Sequence, residues 1–165
     1  MFCNSIVLRP STPSDDTALA ELVSGAFGRP DEADLALSLI ASPDWTLSLV
    51  AECKGRLVGQ VLLSEIGAPV KAVALAPLSV LADYRELQVG SRLVRSAIEE
   101  ARNAGYEAMF VLGDTLYYER FGFSSPLADP FRIGWQGPHF MALELKPGAL
   151  KGKRGKLAYP AAFAA

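Results

Sequence analysis

The sequence is poor in the residues that build metal centres and disulfide scaffolds. It has two cysteines, Cys3 and Cys53, and one histidine, His139. Two cysteines make no disulfide framework, and with a lone histidine they make no zinc cluster. Scarce cysteine fits a reducing cytoplasm. Excess charge is missing too. The chain carries 16 Lys and Arg against 18 Asp and Glu, a net charge of −2, which argues against a general nucleic-acid binder. No apolar run approaches the roughly 20 residues that cross a bilayer. The opening MFCNSIVLRP has no basic region followed by a long apolar one, so no signal peptide and no membrane association are expected. Internal repeats and interdomain linkers are also lacking.

Half of the 165 residues are hydrophobic, enough for a full core, so one domain over residues 1–165 is expected. Ile6-Val7-Leu8 is a short β run. Thr12 then caps a helix with Pro13 in its first turn, and Ala18, Leu19, Leu22, Val23, Ala26 and Phe27 form one buried stripe at helical spacing. Gly28-Arg29-Pro30 breaks the chain. A second helix begins near Asp31, buries Leu35, Ala36, Leu39 and Ile40, and ends before Pro43. Strands over 45–52 and 57–66 flank a Cys53-Lys54-Gly55-Arg56 turn, a hairpin. The run 72–80 is nearly all apolar, as in a strand covered on both faces, and Pro77 within it predicts a bulge or a freed edge.

A helix from about Gln88 to Ala104 buries Leu93, Val94, Ala97, Ile98 and Ala101 and stops at Gly105. Residues 108–112 are a short central strand. Asp114 caps a short helix through Tyr117 and Tyr118, 140–145 is a late strand, and 146–156 reads as a polar loop. This order predicts an α+β (or α/β) fold, one mixed sheet covered by helices. The bend between 80 and 91 matters most. A strand that turns into a helix N-terminus is a device for holding phosphate, because the first amides of a helix lack internal partners and the dipole favours negative charge there.

Arg85-Glu86-Leu87-Gln88-Val89-Gly90 and Tyr118-Glu119-Arg120-Phe121-Gly122-Phe123 together resemble the GNAT superfamily of N-acetyltransferases. Its acetyl-CoA motif is Arg/Gln-x-x-Gly-x-Gly/Ala after a strand; Arg85 matches the first position and Gly90 the last, while Gln88 stands where the family has a glycine. The tyrosine four residues before a Gly-Phe pair is the second feature. Val111-Leu112-Gly113-Asp114, Tyr117-Tyr118 and the late segments 140–145 and 147–150 are similar to a bacterial branch of the family, so the likeness covers almost the whole chain.

The resemblance implies a mostly antiparallel mixed sheet with a splayed parallel pair, here 72–80 and 108–112, and helices on both faces. It implies acetyl-CoA as co-substrate and no metal. The diphosphate would rest on amides of Leu87, Gln88, Val89, Gly90 and Ser91, with Arg85 either pairing with phosphate or capping the surface. The strand Leu78-Ser79-Val80 would bond the pantetheine arm through its backbone, and an amide near Leu78 would polarise the thioester carbonyl. Tyr118 is the candidate general acid for the departing sulfur, with Tyr117 packing beside it. Glu21, Glu32 and Glu65 are candidate bases, each also explicable as a solvated carboxylate. His139, Trp45 and Trp135 read as structural or cleft-lining, and Lys146, Lys151, Lys153, Arg154 and Lys156 as a solvated face. The leading expectation is direct acetyl transfer to a primary amine, small molecule or peptide. A degenerate domain that binds acyl-CoA or a protein without turnover is the alternative, and a purely structural role the third. A homodimer is compatible with each.

Overall fold

The computed structural model describes residues 5–85 and 87–164. Six strands form one sheet in the order β1 (Ile6–Pro10), β2 (Thr46–Cys53), β3 (Arg56–Ile66), β4 (Ala72–Val80), β5 (Ala108–Leu112), β7 (Phe140–Glu144). Every neighbouring pair is antiparallel except β4 with β5. Two short strands, β6 (Phe131–Arg132) and β8 (Gly155–Lys156), make a separate parallel ribbon. The helices are α1 (Asp16–Phe27), α2 (Asp31–Ile40), α3 (Val89–Asn103), α4 (Thr115–Glu119) and α5 (Ser125–Ala128). The fold class expected from the sequence is the one observed.

The hairpin turns on Lys54 and Gly55, both with positive φ (50° and 81°), the mirror-image turn that suits twisted strands. Cys53 closes β2 and is not a free thiol; Cys3 lies outside the described residues. The first helix starts later than expected. Pro13–Asp15 form a 3₁₀ turn in which the Asp15 carboxylate accepts the Thr12 N–H at 2.8 Å, and α1 proper begins at Asp16. Arg9 on β1 holds the same carboxylate through Nη1 (2.7 Å) and Nη2 (2.9 Å) and reaches Glu52 with Nε (3.2 Å), which ties α1's entry to the sheet edge.

One core lies between the sheet and α3, built on Val61, Leu63, Leu75, Val89, Leu93, Val94 and Ala97. Gly59 permits this close seat: a Cβ there would lie 3.0 Å from both Leu93 and Val89. On the other face Leu19, Leu22, Val23, Ala36 and Leu39 of α1 and α2 cover Val50, Leu57 and Leu62. A third cluster, centred on Phe110, Phe131 and Phe140, fills the space under α5 and the β6–β8 ribbon.

Of the two outcomes the sequence allowed at Pro77, a bulge or a freed edge, the structure shows the bulge. Val61 pairs with Leu78 and Leu63 with Leu75, so Ala76 and Pro77 have only Leu62 between those partners. The Ala76–Pro77 peptide is cis. Pairing of β4 with β5 is confined to Ala72–Ala108, Val73–Met109 and Ala74–Phe110. Beyond that point the strands part: β4 runs on to Val80, while Val111 and Leu112 pair only with β7.

Candidate functional site

The parting leaves one side of residues 75–80 without a strand partner. Leu81 N–H donates to Val58 C=O on β3 at 2.9 Å. Backbone groups alternate along an antiparallel ladder, so Ser79 also faces β3, and Leu78 and Val80 turn theirs to the unpaired side. A groove of about 420 Å³ runs along this edge, lined by Ala26, Phe27, Leu78, Ser79, Val80, Arg85, Gly90 and Tyr117. It connects α1's last turn to α3's first.

The entry to α3 explains the motif. Gln88 is the N-cap residue, with φ 64° and ψ 14°. That left-handed backbone costs an ordinary residue about 1–2 kcal/mol and costs glycine nothing. The position therefore asks for glycine by conformation as well as by smallness, and the second demand alone was legible in the sequence. The first intrahelical bond is Arg92 N–H to Gln88 C=O at 3.0 Å, so the amides of Val89, Gly90 and Ser91 fall in the turn that has no internal acceptors. Leu87 differs from its expected use: its N–H already donates to Tyr84 C=O at 3.2 Å. Arg85 is exposed and donates from Nε to Val80 C=O at 3.2 Å, so it buckles the bend while lining the groove.

The two tyrosines take different places on α4, whose N-cap Asp114 accepts the Leu116 N–H at 3.0 Å. Tyr117 packs on Phe121 and Tyr118, as expected, and also lines the groove at Gly90. Burial pushes its phenol up, against the pull of the Ser91 hydroxyl and the Arg120 and Arg95 cations. The Tyr118 ring is buried against Gly113, where a Cβ would lie 2.8 Å from Cε2, and meets Phe123 edge-on. Tyr118 is not part of the groove lining. Its hydroxyl bonds to no described group, and burial first, then Tyr117 and Asp114, raises its phenol well above the ordinary value. Both phenols therefore keep their protons at neutral pH.

The candidate bases lie elsewhere. Glu65 pairs in register with Val73, at the opposite end of β4 from Leu78–Val80, and its carboxylate accepts the Tyr106 hydroxyl at 2.7 Å. Glu32 is ion-paired with Arg29. Glu21 lies in a separate pocket with Arg9, Asp15 and Glu52. His139 is exposed with Nδ1 3.3 Å from the Thr115 hydroxyl. Trp45 packs on Tyr106 and Trp135 on Tyr159. The five basic residues between 146 and 156 are exposed, in keeping with a solvated face. Sequence reasoning missed Phe27 and Gln60. Phe27 reads as the last member of a buried stripe, yet it is 43% exposed and forms a groove wall. Gln60, a polar residue inside an apolar run, was the available signal for the second.

Among the described residues no helix is long and apolar enough to cross a membrane. Residues 17–123 match the Acetyltransferase (GNAT) family. Over 134 residues the chain is 37% identical to the uncharacterized N-acetyltransferase YjhQ of Escherichia coli K12, covering 76% of this chain and 72% of YjhQ. Over 160 residues it is 31% identical to the uncharacterized N-acetyltransferase YhbS of the same organism, covering 93% and 96%. The crystal structure of YhbS in complex with CoA matches with a TM-score of 0.91 at 30% identity, over 97% of this chain and 92% of YhbS. A GNAT family acetyltransferase from Brucella melitensis in complex with acetyl-CoA matches at 0.81 and 28% identity, over 96% and 98%.

Proposed function

This chain belongs to the GNAT acetyltransferase family, and from that premise we propose that it moves an acetyl group directly from acetyl-CoA to a primary amine. The observation that carries the reading is the groove itself, where the unpaired edge of β4 meets the open amides of α3. Both relatives crystallised with CoA or acetyl-CoA share the fold.

The residues present suit such a ligand. The amides of Val89, Gly90 and Ser91, with the positive end of the α3 dipole, cradle a diphosphate. Gln88 does not block this, because its backbone already holds the conformation that a glycine would take there. The backbone of Leu78 and Val80 bonds an extended amide-bearing arm as a neighbouring strand would. Bound acetyl-CoA supplies a thioester, whose carbonyl carbon is open to attack. The Leu78 N–H holds the negative charge that gathers on the carbonyl oxygen. As the C–N bond forms and the C–S bond breaks, the amine nitrogen loses a proton to water and sulfur takes the Tyr118 proton, which water replaces; Tyr118 stands behind the groove-lining Tyr117, whose ring must yield for sulfur to reach it. Tyr117, against Gly90, fixes the arm. Water accepts the amine proton in this reading.

Thermal unfolding with acetyl-CoA tests the reading. A ligand at a hundred times its Kd adds about 2.7 kcal/mol of stability, roughly 5–10 °C in Tm for a chain of this size. An unchanged Tm at saturating acetyl-CoA overturns it. Thiol release across an amine panel then separates an enzyme from a domain that binds without turnover.

A further inference from the structure

Gln60 and Ser79 face each other across β3 and β4 and are both buried, at 0% and 3% exposure. Gln60 Nε2 lies 3.1 Å from Pro77 O and 3.0 Å from Ser79 Oγ. The carbonyl can only accept, so the atom facing it is the nitrogen, and the amide cannot be flipped. Its two hydrogens are then committed, one to Pro77 and one to Ser79. Gln60 Oε1 is left with no partner, a cost to stability in a buried site.

The arrangement restricts the direction of the Ser79 hydroxyl. Its oxygen already accepts from Gln60, so its own proton must point elsewhere, and it donates to no described group. Ser79 is a wall of the groove beside the unpaired β4 edge, between Leu78 and Val80 and across from Phe27 of α1. A buried hydroxyl on a groove-lining residue, with no described acceptor for its proton, is a donor awaiting an acceptor.

We propose that the Ser79 hydroxyl, oriented by Gln60, donates a hydrogen bond to the carbonyl oxygen of the acyl thioester and so makes the groove prefer the acylated ligand over free CoA. The proposal rests on the acetyl-CoA reading above. In it Ser79 touches the substrate, and Gln60 is a positioning residue that acts through Ser79. The side chain thereby adds a second donor to the backbone amide of Leu78, one whose direction depends on a residue of the neighbouring strand. Dividing the donor from its guide has a consequence: losing Gln60 frees Ser79 to rotate, so the preference falls even though the serine remains.

The test is the ratio of Kd values for CoA and acetyl-CoA, measured by calorimetry without amine, together with the infrared stretch of ¹³C-carbonyl acetyl-CoA bound to the protein. Ser79→Ala should leave CoA affinity unchanged, weaken acetyl-CoA about fivefold, and raise the carbonyl stretch. Ser79→Thr should retain the wild-type ratio, and Gln60→Met should shift ratio and stretch in the same direction as Ser79→Ala. Equal weakening of both ligands in Ser79→Ala, or an unchanged ratio and stretch, overturns the proposal while the acetyl-CoA reading stands. If wild-type protein binds neither ligand, the functional reading falls and takes the proposal with it.

Discussion

Gly90 and the Tyr117 hydroxyl stand on two sides of one gap, and a methyl group built on Gly90 would lie 2.6 Å from that oxygen. The oxygen ends a rigid ring that is wedged between Tyr118 and Phe121, so it cannot swing away alone. Gly90→Ala should therefore push the phenol along the groove and weaken acetyl-CoA about tenfold. Adding Tyr117→Phe removes the clashing atom and should restore part of that affinity. A double-mutant cycle on Kd should return a coupling of about 1 kcal/mol; strict additivity would mean the two residues do not meet.

Gln88 offers the opposite kind of change. Its φ of 64° is tolerated at a cost that glycine avoids. Gln88→Gly should stabilise the protein by about 1 kcal/mol, less the extra freedom glycine gains when unfolded. Thermal unfolding should rise by roughly 2 °C, with acetyl-CoA binding kept or tightened. A lower Tm would show that the glutamine side chain contributes more than its backbone costs.

The two tyrosines should separate in kinetics. Tyr118→Phe should lower kcat by about a hundredfold or more and leave the Kd of acetyl-CoA near wild type. Tyr117→Phe should mainly raise that Kd. Because burial raises both phenols, neither loses its proton below the ordinary tyrosine value of about 10. The rate should thus show no alkaline decline from these groups up to that pH. A fall in kcat centred near pH 8 that disappears in Tyr118→Phe would contradict the role.

Asp15 governs acid stability. The Arg9 guanidinium, with the Thr12 N–H, holds its carboxyl well below the usual range. A lowered folded-state value means the stabilisation is complete above the unfolded value of about 4 and fades as pH drops below it. Asp15→Asn should cost about 1–2 kcal/mol at pH 7, discounted for the partly exposed Arg9. The difference from wild type in urea unfolding should shrink as pH is lowered from 5 towards 2. A gap that stays constant would assign the loss to packing.

Much of the frame was readable because it is periodic. The stripe Leu93, Val94, Ala97, Ile98 and Ala101 defined α3, and the apolar run of β4 with its proline pointed to a strand covered on both faces and to a bulge or a freed edge, of which the bulge is present. The opening between β4 and β5 was not in the pattern and entered only through family likeness, since where two strands part depends on pairing rather than on either sequence. α5, β6 and β8 were missed for a related reason. Each spans four residues or fewer, and the β6–β8 ribbon joins positions more than twenty residues apart. Gln60 hid likewise, its partners Pro77 and Ser79 being distant in sequence. Phe27 misled because α1's last turn overhangs the groove, where continued periodicity no longer means burial.

The three-pair seam between β4 and β5 has a cost that reaches beyond catalysis. A sheet unzipped in its middle keeps raw edges indoors, where other proteins allow them only at the rim, and any extended peptide of matching shape can claim them. Guest and intruder compete for the same ladder. A ligand seated on that ladder would therefore also shield it from intruding chains.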